Sequence, residues 1–142
     1  MKLSENGKAF ICSHEGCILS AYQDGGGIWT IGYGHTINVS STDIISQAQA
    51  EVFLLQDLTP VEACINKKVA VSLNQNQFDS LCSFIFNVGV SAFNNSTLLK
   101  KLNANDFTGA ANEFTRWVYD NGKFIEGLFN RRQHEKNLFL AR

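Results

Sequence analysis

The chain has 142 residues, of which 44% are hydrophobic and 18% charged, and it carries a net charge of −1. That length fits one domain with a real core, and a single proline with no low-complexity run argues against disordered tails or a linker. The charge balance and the lack of a long Lys/Arg stripe give no support to nucleic-acid binding.

The opening Met1-Lys2-Leu3-Ser4-Glu5-Asn6-Gly7 turns polar at once, and no run of 18 apolar residues follows. No signal peptide and no stable membrane insertion are expected, so synthesis and retention in a cytoplasm is the reading. Ser4 is placed to cap a short helix that Gly16 should stop. Ile18–Tyr22 and Ile28–Tyr33 flank Asp24-Gly25-Gly26-Gly27, which predicts a hairpin closed by a glycine turn.

Beyond the hairpin the chain reads as helical. Ile45, Ala48, Val52 and Leu55 repeat at helical spacing behind a cap at Ser41 or Thr42, and Pro60 should kink or restart that helix. Asn74-Gln75-Asn76-Gln77 resembles a capping box ahead of an apolar stripe, Phe78, Leu81, Cys82 and Ile85, that Gly89 ends. Ser96 and Asp106 cap two further short segments. Asp120-Asn121-Gly122 forms a turn, and Leu128–Leu140 is the last helix. From Arg116 onward six basic residues outnumber three acidic ones. That bias favours an anionic polymer, although a solvated helix face explains it equally well.

The predicted class is α+β in a single domain over 1–142. A hairpin lobe covers about 15–58 and a mainly helical lobe about 59–142 plus the N-terminal helix, with a cleft between them as the natural ligand site. Cys12, Cys17, Cys64 and Cys82 match no zinc spacing, and three scattered histidines suggest no metal site, so no cofactor is expected. Reduced thiols are the default in a cytoplasm, although Cys12 and Cys17 bracket Glu15.

Glu15 falls at the end of the first predicted helix, where exposed carbonyls disfavour a carboxylate and favour its protonated form. Such a position suits a general acid better than a structural glutamate. Asp24 opens the glycine turn, where an aspartate also has a purely local role in bonding turn amides. Thr30 lies in the following strand, on the opposite face from Trp29 and Ile31. Together they supply an acid, a second carboxyl group and a hydroxyl around one hairpin, which is what glycoside hydrolysis requires.

Glu15-Gly16, Ala21-Tyr22-Gln23-Asp24 and Trp29-Thr30-Ile31-Gly32-Tyr33-Gly34-His35-Thr36 resemble the catalytic region of the phage-type lysozymes of glycoside hydrolase family 24. The intervals between Glu15, Asp24 and Thr30 match that family's catalytic pattern. The likeness runs on through Leu54–Leu58, Asn74–Phe78, Phe86–Gly89, Ser96–Leu99 and Gly127-Leu128 with Arg131-Arg132. It implies a lysozyme-like fold and an endolysin that hydrolyses the β-1,4 bond between N-acetylmuramic acid and N-acetylglucosamine in peptidoglycan, with inversion.

By the same resemblance Glu15 is the acid, Asp24 activates water and Thr30 holds it. Tyr22 and Asn87 are candidate substrate-binding residues. His35, Asp57 and Arg131 are structural neighbours of the site, His35 pairing with Asp57, and Arg131 or Arg132 approaches Glu15. The implied setting is a monomer that waits in the host cytoplasm until a holin releases it to the wall in the periplasm. Two rival readings are a lytic transglycosylase and a catalytically silent wall-binding module on the same fold.

Overall fold

A computed structural model describes residues 1–142. The element order is α1 (Glu5–His14), β1 (Ile18–Gln23), β2 (Trp29–Gly32), α2 (Gln47–Lys68), α3 (Gln75–Val88), α4 (Val90–Asn94), α5 (Thr97–Asn103), α6 (Phe107–Glu113), a 3₁₀ turn (Phe114–Arg116), β3 (Tyr119–Asp120), β4 (Lys123–Phe124) and α7 (Glu126–Leu140). The mixed, mainly helical fold with two small antiparallel hairpins is the α+β class read from the sequence. The chain divides into two compact units, Ala9–Pro60 and Met1–Lys8 with Val61–Arg142.

In the first of these, β1 and β2 pair antiparallel with Tyr22 opposite Thr30 and Gln23 opposite Trp29. The ladder is irregular between Ile18 and Tyr22. Gly32 ends β2 at φ +64, and an added Cβ would lie 3.3 Å from that of Ala50. Only glycine combines that backbone with so close an approach to α2. Ile11, Ile31, Tyr33, Ala50, Leu54 and Leu58 are the buried apolar residues of this unit.

The other unit is built around α3. Asn74 accepts from the Gln77 amide at 2.8 Å while the Gln77 side chain accepts from the Asn74 amide at 2.8 Å, so the capping box is complete. Gly89 terminates the helix at φ 98, its amide bonded to the Ile85 carbonyl. Phe78, Leu81, Cys82, Phe84 and Ile85 are buried in between, and α7 packs along this helix. Burial pushes the Cys82 and Cys64 thiols up. Asn74→Ala should cost about 1 kcal/mol, roughly 2–4 °C in Tm, because the Gln77 amide loses its acceptor at the helix end. Thermal unfolding of the purified variant measures it.

The segment before α1 is anchored in the same unit. The Leu3 amide donates to Glu62 at 2.7 Å, and the Met1 ammonium and carbonyl bond Asn66. Asp79, buried in α3, accepts from the Ser4 amide at 3.1 Å, the Ser4 hydroxyl and Gln75 Nε2 at 2.8 Å. Gly7 has no room for a side chain, since a Cβ there would stand 2.5 Å from the Asp79 carboxyl carbon.

Several local expectations need correction. Gly16 does not stop α1 with a left-handed residue; the helix ends two residues earlier, at His14. The first turn of α2 is capped by Ser46, whose hydroxyl accepts from the Gln49 amide at 3.1 Å, rather than by Ser41 or Thr42. The buried stripe of α2 is Ala50, Leu54, Leu58, Val61 and Ile65, whereas Val52 and Leu55 are 46% and 45% exposed. Pro60 lies inside a continuous helix. Gln56, whose carbonyl loses its amide partner to Pro60, is exposed, so solvent replaces that bond at small cost.

Candidate active site

Glu15 is the first residue past α1, and its amide still donates to the Ile11 carbonyl at 3.0 Å. That bond fixes its backbone at the helix end and leaves the side chain half-buried. Gly16 follows, with open space where a Cβ would stand, and the chain enters β1 at Ile18.

The turn from Asp24 to Ile28 brings two of the candidate groups to the backbone of one residue. Asp24 Oδ1 accepts from the Gly26 amide at 2.8 Å and the Ile28 amide at 2.9 Å. The Ile28 carbonyl in turn accepts from the Asp24 amide and from Thr30 Oγ1, both at 2.9 Å. Asp24 therefore has the local role expected of a turn aspartate, yet both amides fall on Oδ1 and Oδ2 receives neither. The Thr30 hydroxyl spends its proton on Ile28, so toward any water its oxygen can only accept. Ile28 acts through its backbone alone. Side-chain chemistry gives no sign of such a hub; only the tightness of the hairpin hints at one.

Tyr22 sits opposite Thr30 on β1, half-buried. His35 Nδ1 meets Asp57 Oδ2 at 2.8 Å, and the imidazole stacks on Phe53 with centroids 4.2 Å apart. Buried between a carboxylate and an aromatic face, His35 ties the strand end to α2.

Asn87, near the end of α3, accepts from Arg132 Nη2 at 2.9 Å. With Trp117, Tyr119, Leu128 and Arg132 it lines a pocket of about 480 Å³. Arg131 and Arg132 are buried rather than part of a solvated face. Glu135, wholly buried on the same helix, takes Arg132 Nε at 2.7 Å, Arg131 Nε at 3.2 Å and the Ser83 hydroxyl at 2.6 Å. Burial pushes the Glu135 carboxyl up, while Arg132, Ser83 and Arg131 pull it back. Sequence reading missed Ser83 and Glu135. The available signal was a glutamate three and four residues beyond two adjacent arginines, the spacing that stacks charges on one helix face.

The sequence model of phage lysozymes matches residues 12–135. The chain belongs to the phage lysozyme family. An endolysin of Acyrthosiphon pisum secondary endosymbiont phage 1 is 50% identical, the match covering 98% of each chain. The endolysin of Salmonella phage P22 is 42% identical over 99% of each. Among solved structures, the muramidase domain of SpmX from Asticaccaulis excentricus superposes with a TM-score of 0.95 at 38% identity, covering 99% of both chains. This phage lysozyme is accordingly an endolysin-type hydrolase of the cell wall, and the transglycosylase and silent-module readings are not favoured.

Proposed function

We propose that this phage lysozyme cleaves the β-1,4 bond from N-acetylmuramic acid to N-acetylglucosamine by direct displacement, with Glu15, Asp24 and Thr30 as the reacting machinery. Glu15 protonates the leaving glycosidic oxygen. A water donates one hydrogen to Thr30 Oγ1 and the other to Asp24 Oδ2, which leaves a lone pair for the anomeric carbon. Asp24 takes the proton as the new C–O bond forms, and its charge steadies the oxocarbenium-like transition state. The product is a reducing sugar of inverted configuration, and Glu15 is reprotonated from solvent.

The observation that carries this reading is the Ile28 backbone, whose amide holds Asp24 by Oδ1 and whose carbonyl consumes the Thr30 proton. One carboxylate oxygen and one hydroxyl lone pair are left over beside the same hairpin turn, the two acceptors that an attacking water needs. Tyr22 and Asn87 are proposed to contact the glycan. The wider setting is part of the same proposal: a monomer without nucleic-acid partners that passes from the cytoplasm to the wall through a holin.

Digestion of purified peptidoglycan tests the reaction. The expected fragments end in N-acetylmuramic acid that borohydride reduces to the alditol, and proton NMR of nascent product shows the α-anomer first. Fragments ending in 1,6-anhydro sugar, which borohydride leaves untouched, would replace hydrolysis by transglycosylation.

A further inference from the structure

Glu15 lies between two cysteines whose side chains belong to one polar chain. Cys17 Sγ donates to Gln47 Oε1 at 3.7 Å, and Gln47 Nε2 donates to Tyr33 Oη at 2.8 Å. The Tyr33 hydroxyl is hydrogen-bonded on to Cys12, and burial, with that bond, lifts the phenol to about 12. Cys17 donates to Gln47 and Gln47 to Tyr33, so the series links the two cysteines that flank Glu15.

The anchored positions are informative. Cys12 is the last turn of α1, three residues before Glu15, and Cys17 is two residues after it. Ile18 pairs with Gly32, which puts Tyr33 and Cys17 just outside the same rung of the hairpin. The α1 hydrogen bonds reach as far as the Glu15 amide and the ladder begins at Ile18, so the side-chain relay bridges the residues that join helix to strand.

We infer that Tyr33 and Gln47 are positioning residues for the reaction, holding the Cys12–Cys17 segment so that Glu15 presents its carboxyl in one orientation. This rests on Glu15 being the acid. Neither residue need touch the sugar, and their loss acts on the protonation step through a displaced Glu15, where small misplacements are costly. The same relay occupies the Cys17 thiol, so breaking it should also free Cys17 toward thiol reagents.

The test compares wild type with Gln47→Met, Tyr33→Phe and Glu15→Gln. Gln47 is exposed on the first turn of α2, so Gln47→Met should fold with little change in Tm. The expected result is a kcat about tenfold to a hundredfold lower at nearly unchanged KM for Gln47→Met, a displaced alkaline limb of its kcat–pH profile, where the general acid loses its proton, and faster reaction of Cys17 with a disulfide reagent. Gln47→Glu, which keeps the acceptor for Cys17, should recover part of the loss. Tyr33→Phe should follow Gln47→Met in kcat; should it fail to fold, the Gln47 pair still decides. If Glu15→Gln is inactive while Gln47→Met keeps the wild-type kcat, pH profile and thiol reactivity, the positioning role is overturned and the acid assignment stands. If Glu15→Gln keeps full activity, the acid assignment falls and this inference with it.

Discussion

Glu15→Gln is expected to lose roughly 10²–10⁴-fold in kcat on purified cell wall, the range a positioned general acid supplies, while its Tm stays close to that of wild type. The glutamine keeps the shape of the half-buried side chain and removes only the proton that the leaving oxygen needs. Asp24→Asn is the matching probe on the other side of the bond. Its Oδ1 can still accept from Gly26 and Ile28, so the turn survives, but an amide nitrogen stands where Oδ2 was. An amide takes neither the second hydrogen of the water nor its proton. A comparable loss in Asp24→Asn with an intact hairpin is therefore the expected outcome, followed by turbidity loss for rate and circular dichroism for fold. Wild-type-like lysis by either variant would end the proposed mechanism.

The second large effect concerns stability. Glu135→Gln should destabilise the fold by about 3–5 kcal/mol, roughly 10 °C in Tm, measured by thermal or denaturant unfolding. Two buried guanidiniums, Arg131 and Arg132, then lie on one helix with their shared carboxylate gone. Burial pushes the Glu135 carboxyl up while the two arginines and Ser83 pull it back, and a buried ion cluster of this kind is costly to break whatever it contributes when intact. Removing a single member is costly because the remaining charges stay buried. A loss below 1 kcal/mol would mean that the arginines swing out to solvent when unpaired.

Elements set by local chemistry could be read directly from residue order. The Asn74–Gln77 box, the Gly89 stop and the caps at Ser96 and Asp106 depend on groups within a few positions, and each was found where expected. So was the hairpin, because glycine-rich turns between β-branched runs have few other conformations. The phase of α2 was not legible. Val52 and Leu55 compete with Ala50, Leu54 and Leu58 for the inner face, and only tertiary packing decides between two apolar stripes. The cap at Ser46 was obscured for a similar reason, since Ser40, Ser41 and Thr42 stand just upstream.

The candidate site divides along the same line. Glu15, Asp24 and Thr30 could be picked out by residue type and interval. The Ile28 backbone that links two of them has no side-chain signature, and Gln47 looks like any solvent-facing helix residue until its two bonds are seen. Arg131 and Arg132 read equally as neighbours of Glu15 or as a charged face, and Glu135 does not stand out, because sequence alone does not distinguish a buried ion cluster from an exposed one.

Asp79 bears on how this protein can be altered at its ends. Two of the three donors to that buried carboxylate come from Ser4, ahead of the first helix. Trimming the leading four residues would leave the charge inside with a single glutamine for company. Affinity tags and fusion partners therefore belong at the opposite terminus, beyond Ala141 and Arg142, which lie open to solvent.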